Sequence, residues 1–337
     1  MVKLYPVNGI RYSPQINMKE VIAPPYDVIK PQEQAQLYER SPYNFIHLEY
    51  GYKLPQDNEK ENRYTRATQA LRRWLDEGVL VEDTEPCFYL YEQEFIFKKS
   101  KFTRTGLIAA AALTPYSESI VVPHEKTMSK PKEDRLNLLR HCQANLSPIF
   151  SLFDDKDFHF SKLLTSFKVR GQKPSVDFFD DAGSHHRLWQ IKDFLLAEKI
   201  QDFFHDKQLF IADGHHRYET ALAYWKEEEA RGRKGFDRVM MFLFNLADAG
   251  IMVLPTHRVI KTKVNFTDKL TAKLEENFLI EEFPLGLQGN DYLDSFLHKL
   301  QEAGKKSSSF GLYPGGSSFY LCTYKYQLTG TGQIKGG

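Results

Sequence analysis

The strongest chemical signal in the sequence is the five-residue run Asp213-Gly-His-His-Arg217. It follows the apolar segment 208–212, which is typical of a strand, and it precedes a helical pattern over 217–230. Glycine permits a tight turn, and the backbone N–H groups that follow carry the partial positive charge of a helix N-terminus. The run therefore predicts an anion-binding turn at residues 214–216, of the kind that holds phosphate.

The side chains around this turn suit a phosphorylated cofactor, because histidine, arginine and hydroxyl groups donate hydrogen bonds to phosphate oxygens. Four residues are assigned to cofactor binding: Gly214, His216, Arg217 and Thr220. Asp213 is assigned to Mg²⁺ or to proton acceptance, and His215 to catalysis. The alternative is that Asp213 only caps the helix and that the histidines lie on a solvated turn.

A second group of polar residues lies about 90 residues earlier, in Pro123-His-Glu-Lys-Thr127 and at the start of a helix predicted over 129–143. Glu125 is a second candidate for the catalytic base. Four residues are assigned to a second anionic group, the substrate: His124, Thr127, Lys132 and Arg135. The alternative is a solvated loop that leads into an exposed helix face. We expect this group to share one cleft with the glycine turn.

Two further cationic residues, His257 and Arg258, follow the apolar segment 250–255, which predicts another strand. We assign them to substrate binding, the alternative being a surface pair at a strand end. The run Gly183-Ser-His-His-Arg187 repeats three letters of the glycine turn, but no apolar strand precedes it. We interpret that repeat as a chance similarity.

The composition excludes several classes of protein. Lysine and arginine number 45 against 44 acidic residues, so a net charge of +1 provides no strong field for nucleic acid or an anionic membrane. No segment has the 18 or more apolar residues of a membrane span, and three widely spaced cysteines fit a reducing compartment. We expect a cytoplasmic protein. P-loop, Rossmann, serine-hydrolase and zincin motifs are absent from the sequence.

Strand and helix patterns alternate along the chain, which predicts an α/β to α+β fold. Beyond the elements already named, we predict a helix over 62–77, a hairpin from 88–97 and 103–113, strands at 149–153 and 239–245, and a helix over 265–277. Residues 188–198 fit either a strand or a helix. A Gly- and Lys-rich stretch at 232–235 predicts a boundary between the region that contains the glycine turn (1–231, with an inserted hairpin and helix) and a C-terminal α+β region (236–337). The Gly-rich end of the second region is typical of a cut or frayed terminus.

Four motifs, in order along the chain, resemble those of the bacterial and archaeal family called domain of unknown function 1015. They are Ile22-Ala-Pro-Pro-Tyr-Asp27, Pro123-His-Glu-Lys-Thr127 with Asp134-Arg135, Ala212-Asp-Gly-His-His-Arg217 and Leu254-Pro-Thr-His-Arg258. The resemblance spans most of the chain and is strong, but it implies no reaction.

The glycine turn also resembles the phosphate-binding turn of the ParB/sulfiredoxin superfamily, which implies a core of that kind with insertions. Sulfiredoxin needs a cysteine where this chain has His215, and the partitioning proteins add a helix-turn-helix that is not evident here. The Asp-Gly-His-x-Arg turn of ADP-dependent free-serine kinases is the most similar. The resemblance implies ATP or ADP with Mg²⁺, and phosphoryl transfer or hydrolysis involving a small hydroxyl-bearing substrate. Two alternatives remain: a nucleotide-responsive regulatory module without turnover, and a ParB-like DNA-associated protein.

Overall fold

A computed structural model describes residues 1–125, 129–169, 171–254, 257–261, 268–285 and 291–325. The chain forms two compact units, Met1–Leu254 and Pro255–Gly337. The boundary therefore lies about twenty residues beyond the predicted Gly- and Lys-rich stretch. The physical reason is that the strand after this stretch, Arg238–Asn245, pairs along its length inside the large sheet of the first unit.

The helices and strands of the first unit alternate, as the sequence patterns predict. In chain order they are β1 (Leu4–Tyr5), β2 (Ile10–Tyr12), α1 (Met18–Val21), α2 (Pro31–Arg40), α3 (Ile46–Glu49), α4 (Arg63–Asp76), β3 (Leu80–Glu82), β4 (Phe88–Phe97), β5 (Ser100–Ala112), a 3-10 helix (Tyr116–Glu118), β6 (Val121–Val122), α5 (Ser129–Cys142), β7 (Ile149–Phe153), α6 (His159–Val169), β8 (Val176–Phe179), β9 (His185–Ile191), α7 (Phe194–Phe204), β10 (Leu209–Asp213), α8 (His215–Ala230) and β11 (Arg238–Asn245).

Within the described residues, nine strands of this unit form one mixed sheet, in the order β6-β10-β7-β11-β5-β4-β9-β8, with β1 paired beside β5. Two neighbouring pairs are parallel, β6 with β10 and β7 with β11, while the other pairs are antiparallel. The mixed sheet and its helices confirm the α/β character of the fold. The predicted hairpin is confirmed as β4 and β5, which pair from Phe97 and Ser100 onward.

The parallel pairing of β6 with β10 determines where the two polar segments of the sequence lie. Leu209 pairs with Val121 and Phe210 with Val122. Because parallel strands end at the same edge of a sheet, the loop that follows Val122 begins beside the turn that follows β10. Helices α5 and α8, which come after the two loops, pack against each other.

The apolar residues of the central strands explain why the sheet forms here. Ile149, Leu209, Ile211, Met241 and Leu243 are all buried in one hydrophobic core. The packing of α8 onto this core uses Tyr218 and Ala221, and the Tyr218 hydroxyl donates to the Thr114 carbonyl at 2.8 Å. These contacts hold the start of α8 in a defined position against the sheet.

The predicted helix over 62–77 is confirmed as α4. Its N-cap Asn62 and Thr65 form a reciprocal capping box, and the helix buries Trp74 in a second apolar cluster. Residues 188–198 contain both elements that the pattern allows, the end of β9 and the start of α7.

The run Gly183-Ser-His-His-Arg187, which repeats three letters of the glycine turn, does not form a turn before a helix. His185 begins β9, and the preceding turn joins it to β8. The two histidines contact carboxylates of the same hairpin, His185 with Asp177 at 2.6 Å and His186 with Asp180 at 3.1 Å. The similarity of this run to the glycine turn is therefore one of letters only.

The second unit is a small α+β arrangement. It contains α9 (Asp268–Glu275), β12 (Phe278–Pro284), α10 (Asp291–Gly304), β13 (Ser309–Leu312) and β14 (Ser318–Tyr324). The strands form an antiparallel sheet in the order β12-β14-β13, against which the Phe296 ring of α10 packs.

The strand predicted over 250–255 is wrong. Residues 250–254, at the end of the first unit, form no strand, because Val253 and Leu254 are exposed and pair with no neighbouring strand. The Gly-rich end of the chain lies outside the described residues.

In the described parts of the chain, none of the helices has the length and apolar character that a membrane crossing requires.

Candidate active site

The glycine turn joins β10 directly to α8. Gly214 has φ +96° and ψ 25°, a left-handed conformation that residues with a side chain rarely adopt. The helix begins at His215, two residues earlier than the pattern predicts, so that His215 and His216 belong to its first turn. Since no side chain caps this 16-residue helix, its N-terminus presents backbone N–H groups and a partial positive charge.

Arg217 folds back beside the turn instead of extending into solvent. Its guanidinium donates hydrogen bonds to the carboxylate of Asp213 and to the carbonyl of Pro148. A Cβ atom at Gly214 would lie only 3.0–3.1 Å from that guanidinium. Glycine is therefore required at position 214 for two reasons: the positive φ angle and the close approach of the Arg217 guanidinium.

Substituting Gly214 by alanine is expected to lower the free energy of unfolding by about 1–2 kcal/mol, because alanine is strained at this φ. Gly78→Ala is the matched control, since Gly78 has φ +71° with open space where the Cβ would lie. Both variants should lose similar stability in urea denaturation, but only Gly214→Ala should also weaken phosphate binding by displacing Arg217. Equal phosphate affinity in the two variants would contradict this account.

The loop after β6 contacts the first turn of α8. The backbone N–H of His124 donates to Nε2 of His215 at 3.2 Å, although 91 residues separate them. Oε1 of Glu125 lies 3.1 Å from Nδ1 of the same histidine. Two polar segments that are distant in sequence thus meet at one edge of the sheet, next to the glycine turn.

These contacts determine which ring nitrogens carry protons. Nδ1 of His124 lies 2.6 Å from the Ile211 carbonyl and must donate to it. His215 accepts at Nε2, so the proton of its neutral ring is on Nδ1, the nitrogen that lies 3.1 Å from Glu125. His215 is only 1% exposed, and this burial lowers its pKa, an effect that Glu125 partly opposes. The Glu125 carboxylate is half exposed, and its 3.1 Å approach to Nδ1 of His215 lacks the geometry of a hydrogen bond.

The low pKa of His215 has a consequence for stability. The unfolded chain binds this proton below about pH 6.5, whereas the folded chain resists it, so stability should fall as the pH drops below that value. His215→Gln should show a shallower decline than the wild type between pH 7.5 and 5.5. His47, whose pKa is also lowered by burial, is unchanged in this comparison. Urea unfolding at several pH values measures the slopes, and identical slopes would contradict the burial of a neutral His215.

Donor atoms of His124, Glu125 and His215 lie within 4.8 Å of one another, close enough to hold a metal ion. Two histidines with one carboxylate are typical of zinc or iron centres that keep an open position. However, coordination through Nδ1 of His215 would require loss of its proton, while its Nε2 already faces a backbone N–H. The hydrogen bond at Nε2 therefore disfavours metal coordination through this histidine.

Asp213 is the residue assigned to Mg²⁺, and its side chain is about half exposed beside Arg217. Mg²⁺ commonly binds one or two protein carboxylates together with substrate phosphates. A single half-exposed carboxylate, paired with Arg217 at the edge of the candidate anion-binding turn, fits that donor set.

Lys132 and Thr220 lie between α5 and α8. Nζ of Lys132 donates to Glu219 at 2.9 Å, and the Thr220 hydroxyl points towards the Lys132 carbonyl at 3.4 Å. Thr220 is only 3% exposed, so its hydroxyl belongs to the helix interface. The side chain of Lys132 is about one-third exposed, and it joins α5 to α8 through its ion pair with Glu219.

Arg135 is buried in a network of charges. It donates to the carboxylate and the carbonyl of Glu49, both at 3.1 Å, and to Asp134. Asp134 also accepts from Arg63, and Ser147 donates to Glu49 at 2.8 Å. These partners, which the sequence patterns do not indicate, hold the guanidinium that was assigned to substrate.

A small cavity joins this network to the glycine turn. Its volume is about 50 Å³, and its lining includes Glu49, Arg135, Arg217 and Thr220. Arg135 and Arg217 therefore face the same space between α5 and α8.

His257 and Arg258 belong to the second unit, where both are exposed. Thr127 lies outside the described residues.

The fold and the site define a mixed α/β protein with a candidate anion-binding turn next to His124, Glu125 and His215. A family model described as "Protein of unknown function (DUF1015)" matches residues 4–334. The chain belongs to this family. Neither the curated proteins nor the solved structures include a significant match to the chain.

Proposed function

We propose that the protein binds a nucleotide through its phosphates at the start of α8 and transfers or hydrolyses a phosphoryl group. The observation that supports this most strongly is the meeting of two loops at one edge of the sheet. His124 and Glu125 contact His215, the first residue of a helix whose N-terminus no side chain caps. An anion site and a nearby carboxylate are two of the parts that phosphoryl transfer uses.

Each residue has a distinct role in this proposal. The N–H groups of the first turn of α8, with His216 and Arg217, bind the phosphates, and Asp213 binds the Mg²⁺ that accompanies the nucleotide. Glu125, which lies beside His215, accepts the proton of the attacking hydroxyl. Phosphoryl transfer relies mainly on positioning and on neutralisation of charge, which this set of side chains supplies.

The finer identification is also a proposal. The sequence β10, Gly214 and α8, with Asp-Gly-His-His-Arg at the junction, supports a ParB/sulfiredoxin-like core of the free-serine-kinase type. On that basis the cofactor is ATP or ADP with Mg²⁺, and the acceptor is a small hydroxyl-bearing molecule. Arg135 acts as a positioning residue in this scheme, because its donors are committed to Glu49 and Asp134.

A thermal-shift screen over ATP, ADP, CTP and GTP, each with Mg²⁺, tests the proposal. We expect at least one nucleotide to raise the melting temperature by mass action, and phosphorus NMR to show that it is consumed, in the presence or absence of small hydroxyl compounds. A nucleotide that stabilises the protein and is never consumed would favour a regulatory module. A steep salt-dependent shift of DNA, with no response to nucleotides, would favour the DNA-associated alternative.

A further inference from the structure

The Ile22-Ala-Pro-Pro-Tyr-Asp27 motif has no role in the function proposed above, although its tyrosine contacts the network next to the site. The Arg135 guanidinium lies over the Tyr26 ring, 4.1 Å from the ring centroid. The Tyr50 ring lies 6.3 Å from Tyr26 at an interplanar angle of 41°, and Arg63 lies over Tyr50 at 5.8 Å. Tyr26 and Tyr50, called here the tyrosine pair, are both half-buried and each contacts a guanidinium.

The tyrosine pair is connected to the glycine turn through Arg135. Arg135, which lies over Tyr26, lines the same cavity as Arg217 of the turn. Burial raises the pKa of the Tyr26 hydroxyl, whereas the positive charges of Arg135 and Arg217 oppose that rise. Tyr26 is therefore within electrostatic reach of the arginine that is proposed to hold phosphate.

We infer that the tyrosine pair is the subsite for the aromatic base of a nucleoside di- or triphosphate whose phosphates bind at Gly214–Arg217. This inference rests on the proposed function and extends it to a new part of the chain. Both tyrosines are partly exposed, and base–aromatic stacking on such a ring contributes about 1–3 kcal/mol. The guanidinium at each ring fixes its orientation and adds a cation–π contact.

A purely structural role for Tyr26 makes a different prediction. In that case the ring only shields the buried ion pair of Arg135 and Glu49 from water, and removing it lowers stability without changing which ligands bind. The two roles are separated by comparing a ligand with a base and a ligand without one.

The experiment is calorimetric titration of the full chain with ATP and with inorganic tripolyphosphate, both with Mg²⁺. Tyr26→Ala should weaken ATP about five- to a hundredfold and leave tripolyphosphate within twofold, whereas Tyr26→Phe should keep both affinities. Tyr50→Ala, expected to act in the same direction, replaces Tyr26→Ala if that variant does not fold.

The outcomes distinguish this inference from the proposed function. Equal losses for ATP and tripolyphosphate, or no loss for either, would overturn the base subsite and leave phosphate binding intact. A loss of ATP affinity in Tyr26→Phe as large as in Tyr26→Ala would assign the effect to the hydroxyl and would also overturn it. Wild-type protein that binds neither ligand would overturn both the proposed function and the inference.

Discussion

Arg217→Ala is expected to lower nucleotide affinity about ten- to a hundredfold. The substitution removes a charge-assisted hydrogen bond to phosphate, which contributes about 1.5–3 kcal/mol. Arg217 is well placed for this contact because Asp213 and the Pro148 carbonyl already hold its guanidinium beside the helix N-terminus. Calorimetric titration with the best nucleotide of the thermal-shift screen measures the loss.

Arg140→Ala is the matched control for the structural part of this effect. Arg140 of α5 pairs with Glu227 of α8 at 2.6 Å, so that its removal breaks an ion pair between the same two helices. We expect Arg140→Ala to leave nucleotide affinity unchanged, since an exposed pair contributes little to stability. Affinity that is the same in Arg217→Ala and in the wild type would contradict a phosphate site at this turn.

Glu125→Gln is expected to lower turnover by about 10²- to 10⁴-fold while nucleotide affinity changes little. Glutamine has nearly the same shape and fits beside Nδ1 of His215, but an amide does not accept the proton of an attacking hydroxyl. The measurement is kcat at saturating nucleotide, read by phosphorus NMR or by release of the product.

Glu219→Gln is the control for this variant, because Glu219 is a carboxylate of α8 that pairs with Lys132. It should retain most of the turnover. Asp213→Asn gives the contrasting pattern, with weaker binding of Mg²⁺ and a lower kcat. Full turnover in Glu125→Gln together with loss in Asp213→Asn would transfer the role of base to Asp213.

Local patterns predict the glycine turn well. The apolar segment before Asp213, the glycine and the helical periodicity after it lie within about twenty residues, so no distant contact is needed to form them. The helix begins two residues earlier than predicted because Gly214 itself ends the strand and serves as the N-cap. The predicted 1–231 and 236–337 regions differ from the two units for a non-local reason, since β11 pairs with strands far earlier in the chain.

The partners of the site are harder to predict from the sequence. The contact of His124 and Glu125 with His215 depends on β6, a strand of only two residues that is too short to give a pattern. Glu49, the partner of Arg135, lies 86 residues away in the four-residue helix α3. Pairings of this kind come from long-range packing, so sequence spacing indicates the residue types of the site and not their neighbours.

In the exposed segment 250–254, after β11, the sequence pattern predicts a strand that does not form. Val253 and Leu254 form part of an apolar run that is typical of a strand, yet Val253 is 85% exposed. A strand needs a neighbour to satisfy its backbone hydrogen bonds, and hydrophobicity alone does not provide one.

The central claim, that phosphate binds at the N-terminus of α8, is tested most directly by amide NMR of the deuterated protein during titration with nucleotide and Mg²⁺. We expect the largest shift changes at the N–H groups of His215, His216 and Arg217, because backbone N–H groups at a helix N-terminus donate to bound phosphate. Tripolyphosphate should shift the same amides. Saturable binding of nucleotide that leaves these three amides unchanged would contradict the account.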